Sequence, residues 1–155
     1  MKKNHVNLIS LLIIVLSFGS CNVEQEQYLY EVNFKNTSDK PLSLLVLGDT
    51  LNHSIPNNDT LINSILLPGE TSKHFSYSSH FFEGFKYNLT YIEVKYLTED
   101  KGYICVKQDQ LPNNLCFTTK NSPLYSTKED FSSSDQRNFS YNITQEDYEN
   151  AHILP

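Results

Sequence analysis

An all-β fold, a single antiparallel β-sandwich of about seven or eight strands closed by a short C-terminal helix, is what this 155-residue chain predicts. Three observations carry the prediction. Apolar and polar residues alternate with period two along most of the chain, aromatic and β-branched residues crowd those runs, and Gly, Pro, Asn and Asp clusters separate them. Almost nothing has the 3.6-residue period of a helix, which excludes an α/β architecture.

The strands follow in order. Tyr28, Tyr30, Val32 and Phe34 alternate with Leu29, Glu31, Asn33 and Lys35, the pattern of a half-buried strand. KNTSDKP then makes a turn, because Asn, Ser and Asp bond their own backbone and Pro41 breaks the ladder. Leu42–Leu47 is a mostly apolar run suited to burial on both faces, and GDTLNHSIPNNDT, residues 48–60, is a long polar connection. Leu61–Leu67 is a third strand stopped by Pro68-Gly69, and Thr71–Tyr77 a fourth. Tyr87–Leu97 is the longest, followed by the hairpin loop TEDKG with Gly102 available for a positive φ. Tyr103–Lys107 returns antiparallel, Leu115–Thr119 and Arg137–Ile143 complete the set, and residues 121–136 read as a surface loop. At the end Thr144 offers an N-cap hydroxyl, with Glu146 and Asp147 in the first helical turn and Tyr148 and Ala151 facing inward.

The sandwich spans residues 28–155, and what precedes it has a different character. Lys2 and Lys3 lead into LISLLIIVL, residues 8–16, and small residues Gly19 and Ser20 stand directly before Cys21. A basic start, a short apolar run and a small-residue exit describe a secretory signal peptide over residues 1–20, too short to span a bilayer. The segment resembles a bacterial lipobox, in which the cysteine becomes the first residue and carries the acyl chains. Phe18 stands where a lipobox usually has Leu. The resemblance implies a lipidated Cys21, a tether over residues 21–27 and an outer-membrane anchor, facing the periplasm or the cell surface. Cleavage by an ordinary signal peptidase, leaving a soluble protein, is the alternative.

Loss of residues 1–20 leaves one domain with ten basic and eighteen acidic residues, a net charge of −8 with neutral histidines. That balance excludes nucleic acid and anionic headgroups as simple electrostatic partners. The remaining cysteines, Cys105 and Cys116, can pair with each other in an oxidising compartment, closing a loop worth about 2–3 kcal/mol. A reduced buried pair is the alternative; a metal site lacks the ligand spacing.

Two segments, NFKNTSDKPLSLLVL at residues 33–47 and RNFSYNITQEDYENAHILP at residues 137–155, resemble small Bacteroidetes lipoproteins of unknown function. These share an Asn-x-Ser-Asp-Lys turn and a closing strand and helix. The resemblance covers about a third of the chain. It implies anchoring and an immunoglobulin-like sandwich, and it names no ligand. It also implies O-glycosylation at Thr50 and Thr60, which lie in the Asp-Thr-Leu tripeptides 49–51 and 59–61. Six Asn-x-Ser/Thr sequons follow from the Asn- and Ser-rich composition, and a bacterial lipoprotein leaves them bare.

No nucleophile elbow, zinc helix, P-loop or dinucleotide fingerprint is present, so no catalytic residue and no cofactor are assigned. Adjacent Glu99 and Asp100 read as a solvated hairpin tip. HFSYSSHFFEGFKY, residues 74–87, is the most suggestive stretch. Phe81, Phe82 and Phe85 form a candidate surface for stacking on a glycan or peptide, or else cap the end of the sandwich. His74, His80 and Glu83 are too few to define a metal site, and no metal is expected. The reading is a non-enzymatic, lipid-anchored envelope protein whose partner is another envelope protein or a glycan. A glycan- or peptide-binding module using residues 74–87 is the alternative, and an unrecognised hydrolase the third.

Overall fold

The computed structural model describes residues 26–49, 59–85, 88–107 and 115–155. Among the described residues nine strands and one α-helix stand in the order β1 (Tyr28–Asn36), β2 (Leu42–Asp49), β3 (Asp59–Leu66), β4 (Phe75–Ser79), β5 (Asn88–Tyr96), β6 (Lys101–Val106), β7 (Phe131–Ser133), β8 (Asn138–Ile143), α1 (Gln145–Glu149) and β9 (His152–Ile153). They form two sheets, β4-β1-β8-β7 and β3-β2-β5-β6-β9, so the fold is an all-β sandwich. Among the described residues its strand pairings are antiparallel except one. β1 and β8 run parallel in a register from Glu31–Asn138 to Asn36–Ile143.

Period-two patterning explains which side chains fill the space between the sheets. Val32 and Phe34 of β1, Leu42, Leu44 and Val46 of β2, and Ile92 and Val94 of β5 are all buried. Leu45 and Leu47 of β2 are only partly covered, so that strand alternates and is not buried on both faces. Two bulges flank the end of β2. One shifts register between Val46 and Leu47 against β3, allowing consecutive Leu61 and Ile62 both to be buried; the other shifts it between Leu47 and Gly48 against β5.

Tyrosines Tyr96, Tyr103 and Tyr141 complete the middle of the core. Tyr103 and Tyr141 keep a polar handle, donating to the carbonyls of Asp147 (2.7 Å) and Asn121 (2.6 Å).

Three expectations are corrected here. Leu115–Thr119 is a turn and bends, not a strand. A backbone bond from Ile104 N–H to the Leu115 carbonyl (2.9 Å) holds it to β6, while Cys116 turns in to Cys105 and Phe117 stacks on Tyr103 at 4.0 Å. Gly102 lies within β6 opposite Lys95 and has no positive φ. Glycine is required there because a Cβ would fall 1.9 Å from the Val94 carbonyl oxygen. Finally, Thr71 makes only an isolated bridge to Lys35, and β4 begins at Phe75.

The segments 33–47 and 137–155 meet at one corner. Thr37 N–H donates to the Ile143 carbonyl (2.8 Å), and Asp39 N–H to the Gln145 side-chain oxygen (3.1 Å). Thr144 caps α1 as its sequence suggests, its hydroxyl accepting from Asp147 N–H while the Asp147 carboxylate accepts from Thr144 N–H.

Candidate functional site

The aromatic segment that follows β4 lies at the end of the sandwich where β1 begins, since Tyr28 pairs with Ser79. Phe82 turns inward and is 7% exposed, stacked on Phe139 with centroids 3.6 Å apart and edge-on to Phe131 at 5.2 Å. Phe85 is half-buried, stacked on Phe34 at 4.7 Å and edge-on to Phe131 at 5.1 Å. Phe81 alone points outward, 64% exposed. A three-ring stacking surface is therefore not assembled: two of the rings pack into the core, and one remains outside.

Gly84 makes this arrangement possible. Its φ of 72° is a conformation L side chains rarely adopt, and it reverses the chain between two inward-facing phenylalanines. Tyr77 pins the same turn, donating its hydroxyl to the Gly84 carbonyl (3.1 Å) and accepting from Glu83 N–H (2.9 Å). Burial pushes the Tyr77 phenol upward from its ordinary pKa, which keeps it a donor.

The polar residues of the segment diverge. His74 pairs with Glu31 at 3.9 Å, whereas His80 Nδ1 lies 3.3 Å from the Glu26 carbonyl oxygen. They flank β4, six residues apart, on the order of 20 Å along an extended strand. Glu83 accepts from the Ser79 hydroxyl at 3.2 Å. Among the described residues no three His, Cys, Asp or Glu side chains gather as a metal site would need.

Glu99 and Asp100 sit at the β5–β6 hairpin and pair with lysines, Glu99 with Lys101 (3.2 Å) and Asp100 with Lys95 (3.8 Å). The Tyr148 hydroxyl donates to Glu99, and this bond together with Lys101 holds the Glu99 carboxyl below the usual carboxylate range. Such a group accepts hydrogen bonds; it is not poised to donate a proton near neutral pH.

One polar centre has no counterpart in the sequence reading. Lys120 Nζ donates to Asp147 Oδ2 (2.5 Å) and to the Asn142 carbonyl (2.6 Å), with the Tyr141 ring 4.7 Å and the Phe117 ring 5.1 Å from the ammonium. Asp147 Oδ2 also accepts from Thr144 N–H (2.7 Å) and its hydroxyl (3.0 Å). Burial lowers the Lys120 pKa, and Asp147 opposes that shift. This arrangement ties α1 to the sheets. The Thr-x-x-Asp capping pattern was visible in the sequence, but nothing local marks Lys120 as the partner of its acid.

Of the remaining candidates, Cys105 and Cys116 are joined, with Cα atoms 4.6 Å apart, and both are buried. Thr60 is exposed as the second residue of β3, at the edge of its sheet and not in a loop. Thr50 and Cys21 lie outside the described residues. Comparison with known proteins finds no matching family model, no matching curated protein and no matching solved structure.

Proposed function

We propose that this chain is a lipid-anchored envelope protein with a non-catalytic binding or supporting role, held at the outer membrane through Cys21. The cysteine arithmetic carries the reading. Cys105 and Cys116 are bonded to each other, which leaves Cys21, directly after the Gly-Ser pair of a signal-peptide-like segment, as the one cysteine without an internal partner. A disulfide also suits the oxidising compartment that such a signal would deliver the chain to.

A contact role draws support from the end of the sandwich opposite the tether. Leu67, Leu97 and Ile153 are exposed there, on the strand ends of the five-stranded sheet, on a rigid frame of the kind that presents binding loops. The glycan-stacking alternative loses support, because Phe82 and Phe85 belong to the core. Metabolic labelling with a palmitate analogue tests the anchor. Wild-type protein should take up the label and Cys21→Ala should not; equal labelling of both would overturn the proposal.

A further inference from the structure

We infer that Phe81 is a membrane-contacting side chain, seated in the lipid interface beside the anchor and orienting the sandwich with its tether end down. The inference rests on the lipid anchor at Cys21 proposed above, and adds a surface and a partner to it: the headgroup region of a bilayer.

Three observations converge. The first is reach. Glu26 is five residues on from Cys21, a span of at most about 18 Å, whereas β1 carries the chain nine residues away from that point, about 30 Å. The end of the sandwich where β1 begins is therefore the end closest to an acylated Cys21.

The second is position. His80, the residue before Phe81, lies 3.3 Å from the Glu26 carbonyl oxygen. The most exposed phenylalanine ring among the described residues thus emerges beside the point where the tether enters the fold.

The third is orientation. Phe82 and Phe85 are fixed inward by ring stacking and Tyr77 clamps the turn between them, while Phe81 beside them is 64% exposed. Tyr28 sits at the same end, its hydroxyl donating to Glu26 (2.9 Å) and its ring 5.3 Å from the Arg137 guanidinium. A tyrosine and an arginine with apolar bodies and polar tips suit the headgroup level, where a phenylalanine can enter the acyl boundary. Glu26, Glu83 and Asp135 share this end, so the contact is with zwitterionic lipid, not with an anionic surface.

The chain has no tryptophan, which makes a Phe81→Trp variant its own reporter. The full acylated protein would be reconstituted into phosphatidylcholine vesicles with brominated acyl chains, beside Leu97→Trp at the opposite end. Flotation with the vesicles reports the anchor. The expected result is flotation of both variants, with a blue-shifted and bromine-quenched emission for Phe81→Trp and an unshifted, unquenched emission for Leu97→Trp. Flotation without quenching of Phe81→Trp overturns the contact while the anchor stands, as does a blue shift without quenching, which would place the ring against protein. Failure of the acylation-dependent flotation overturns both.

Discussion

The side-chain amide of Asn36 donates to the Leu66 carbonyl at 3.0 Å, joining the last residue of β1 in one sheet to the last residue of β3 in the other. The same amide donates to the Lys40 carbonyl (2.8 Å), and its oxygen accepts from Ser38 N–H (3.1 Å) and the Ser38 hydroxyl (2.7 Å). Asn36 is fully buried, so its own side-chain amide has no water to fall back on. Asn36→Ala removes this partner from the Leu66 carbonyl and the Ser38 N–H, at about 1–3 kcal/mol each before relaxation, while the Lys40 carbonyl keeps the Ser38 hydroxyl (3.1 Å). The expected loss is about 3 kcal/mol in urea denaturation, read as a lower midpoint at an unchanged slope. A loss below about 1 kcal/mol would show that the corner is not held by this side chain.

The three core tyrosines separate by what their hydroxyls reach. Tyr103 donates to the buried Asp147 carbonyl and Tyr141 to the partly buried Asn121 carbonyl, whereas the buried Tyr96 hydroxyl finds no hydrogen-bond partner among the described residues. Removing a bonded hydroxyl strands its acceptor; removing an unbonded one removes a desolvated dipole. Tyr103→Phe and Tyr141→Phe should each lose about 1 kcal/mol, and Tyr96→Phe should be neutral or slightly stabilising. Thermal melts of the three variants decide it, and equal losses would defeat the distinction.

Those tyrosines also show where the sequence was readable. Period two along Tyr28–Phe34 and Arg137–Ile143 revealed strands and their inward faces, because alternation reports which side of a strand meets the core. It cannot report a partner, so the parallel pairing of β1 with β8 across the length of the domain was invisible. Leu115–Thr119 reads as a strand by composition, yet its residues are committed to the disulfide and to the ring of Tyr103, which local propensity does not register. Phe82 and Phe85 read equally well as surface or plug. The choice depended on Phe139 and Phe34, distant in sequence, and on the turn that Gly84 allows.

Lys120 and Asp147 give a sharper test of long-range packing. The Asp147 side chain is 2% exposed and shares its Oδ2 among Lys120, Thr144 N–H and the Thr144 hydroxyl. Lys120→Met keeps much of the aliphatic stem against Phe117 and Tyr141 and removes the charge, leaving a buried carboxylate with its cap bonds alone. Breaking one side of a buried pair costs about 3–5 kcal/mol. The Lys120 side chain is 25% exposed, which places the expectation at the lower end, about 3 kcal/mol. Adding Asp147→Asn to Lys120→Met should recover part of the loss. Additive losses in that double-mutant cycle would mean that the two residues are not coupled.

Tyr148 and Glu99 set a pH window for the packing of α1 on the β5–β6 hairpin. Their mutual hydrogen bond pushes the Tyr148 phenol up to about 12 and, together with Lys101, holds the Glu99 carboxyl down. The two shifts act at opposite ends of the scale. A raised phenol contributes fully below its unfolded value of about 10, and its contribution is lost as pH rises through the folded value. A lowered carboxyl contributes fully above its unfolded value of about 4.3, and its contribution is lost as pH falls through the folded one. Between these limits the bond is intact and adds no pH dependence. Both groups are solvent-exposed, so the readout is titration and not stability. The phenolate absorbance of wild type minus that of Tyr148→Phe should show one tyrosine ionising near pH 12. Carboxyl chemical shifts should show Glu99 titrating higher once Tyr148 is replaced. A difference spectrum centred near pH 10 would mean that the hairpin and helix are not joined through this pair.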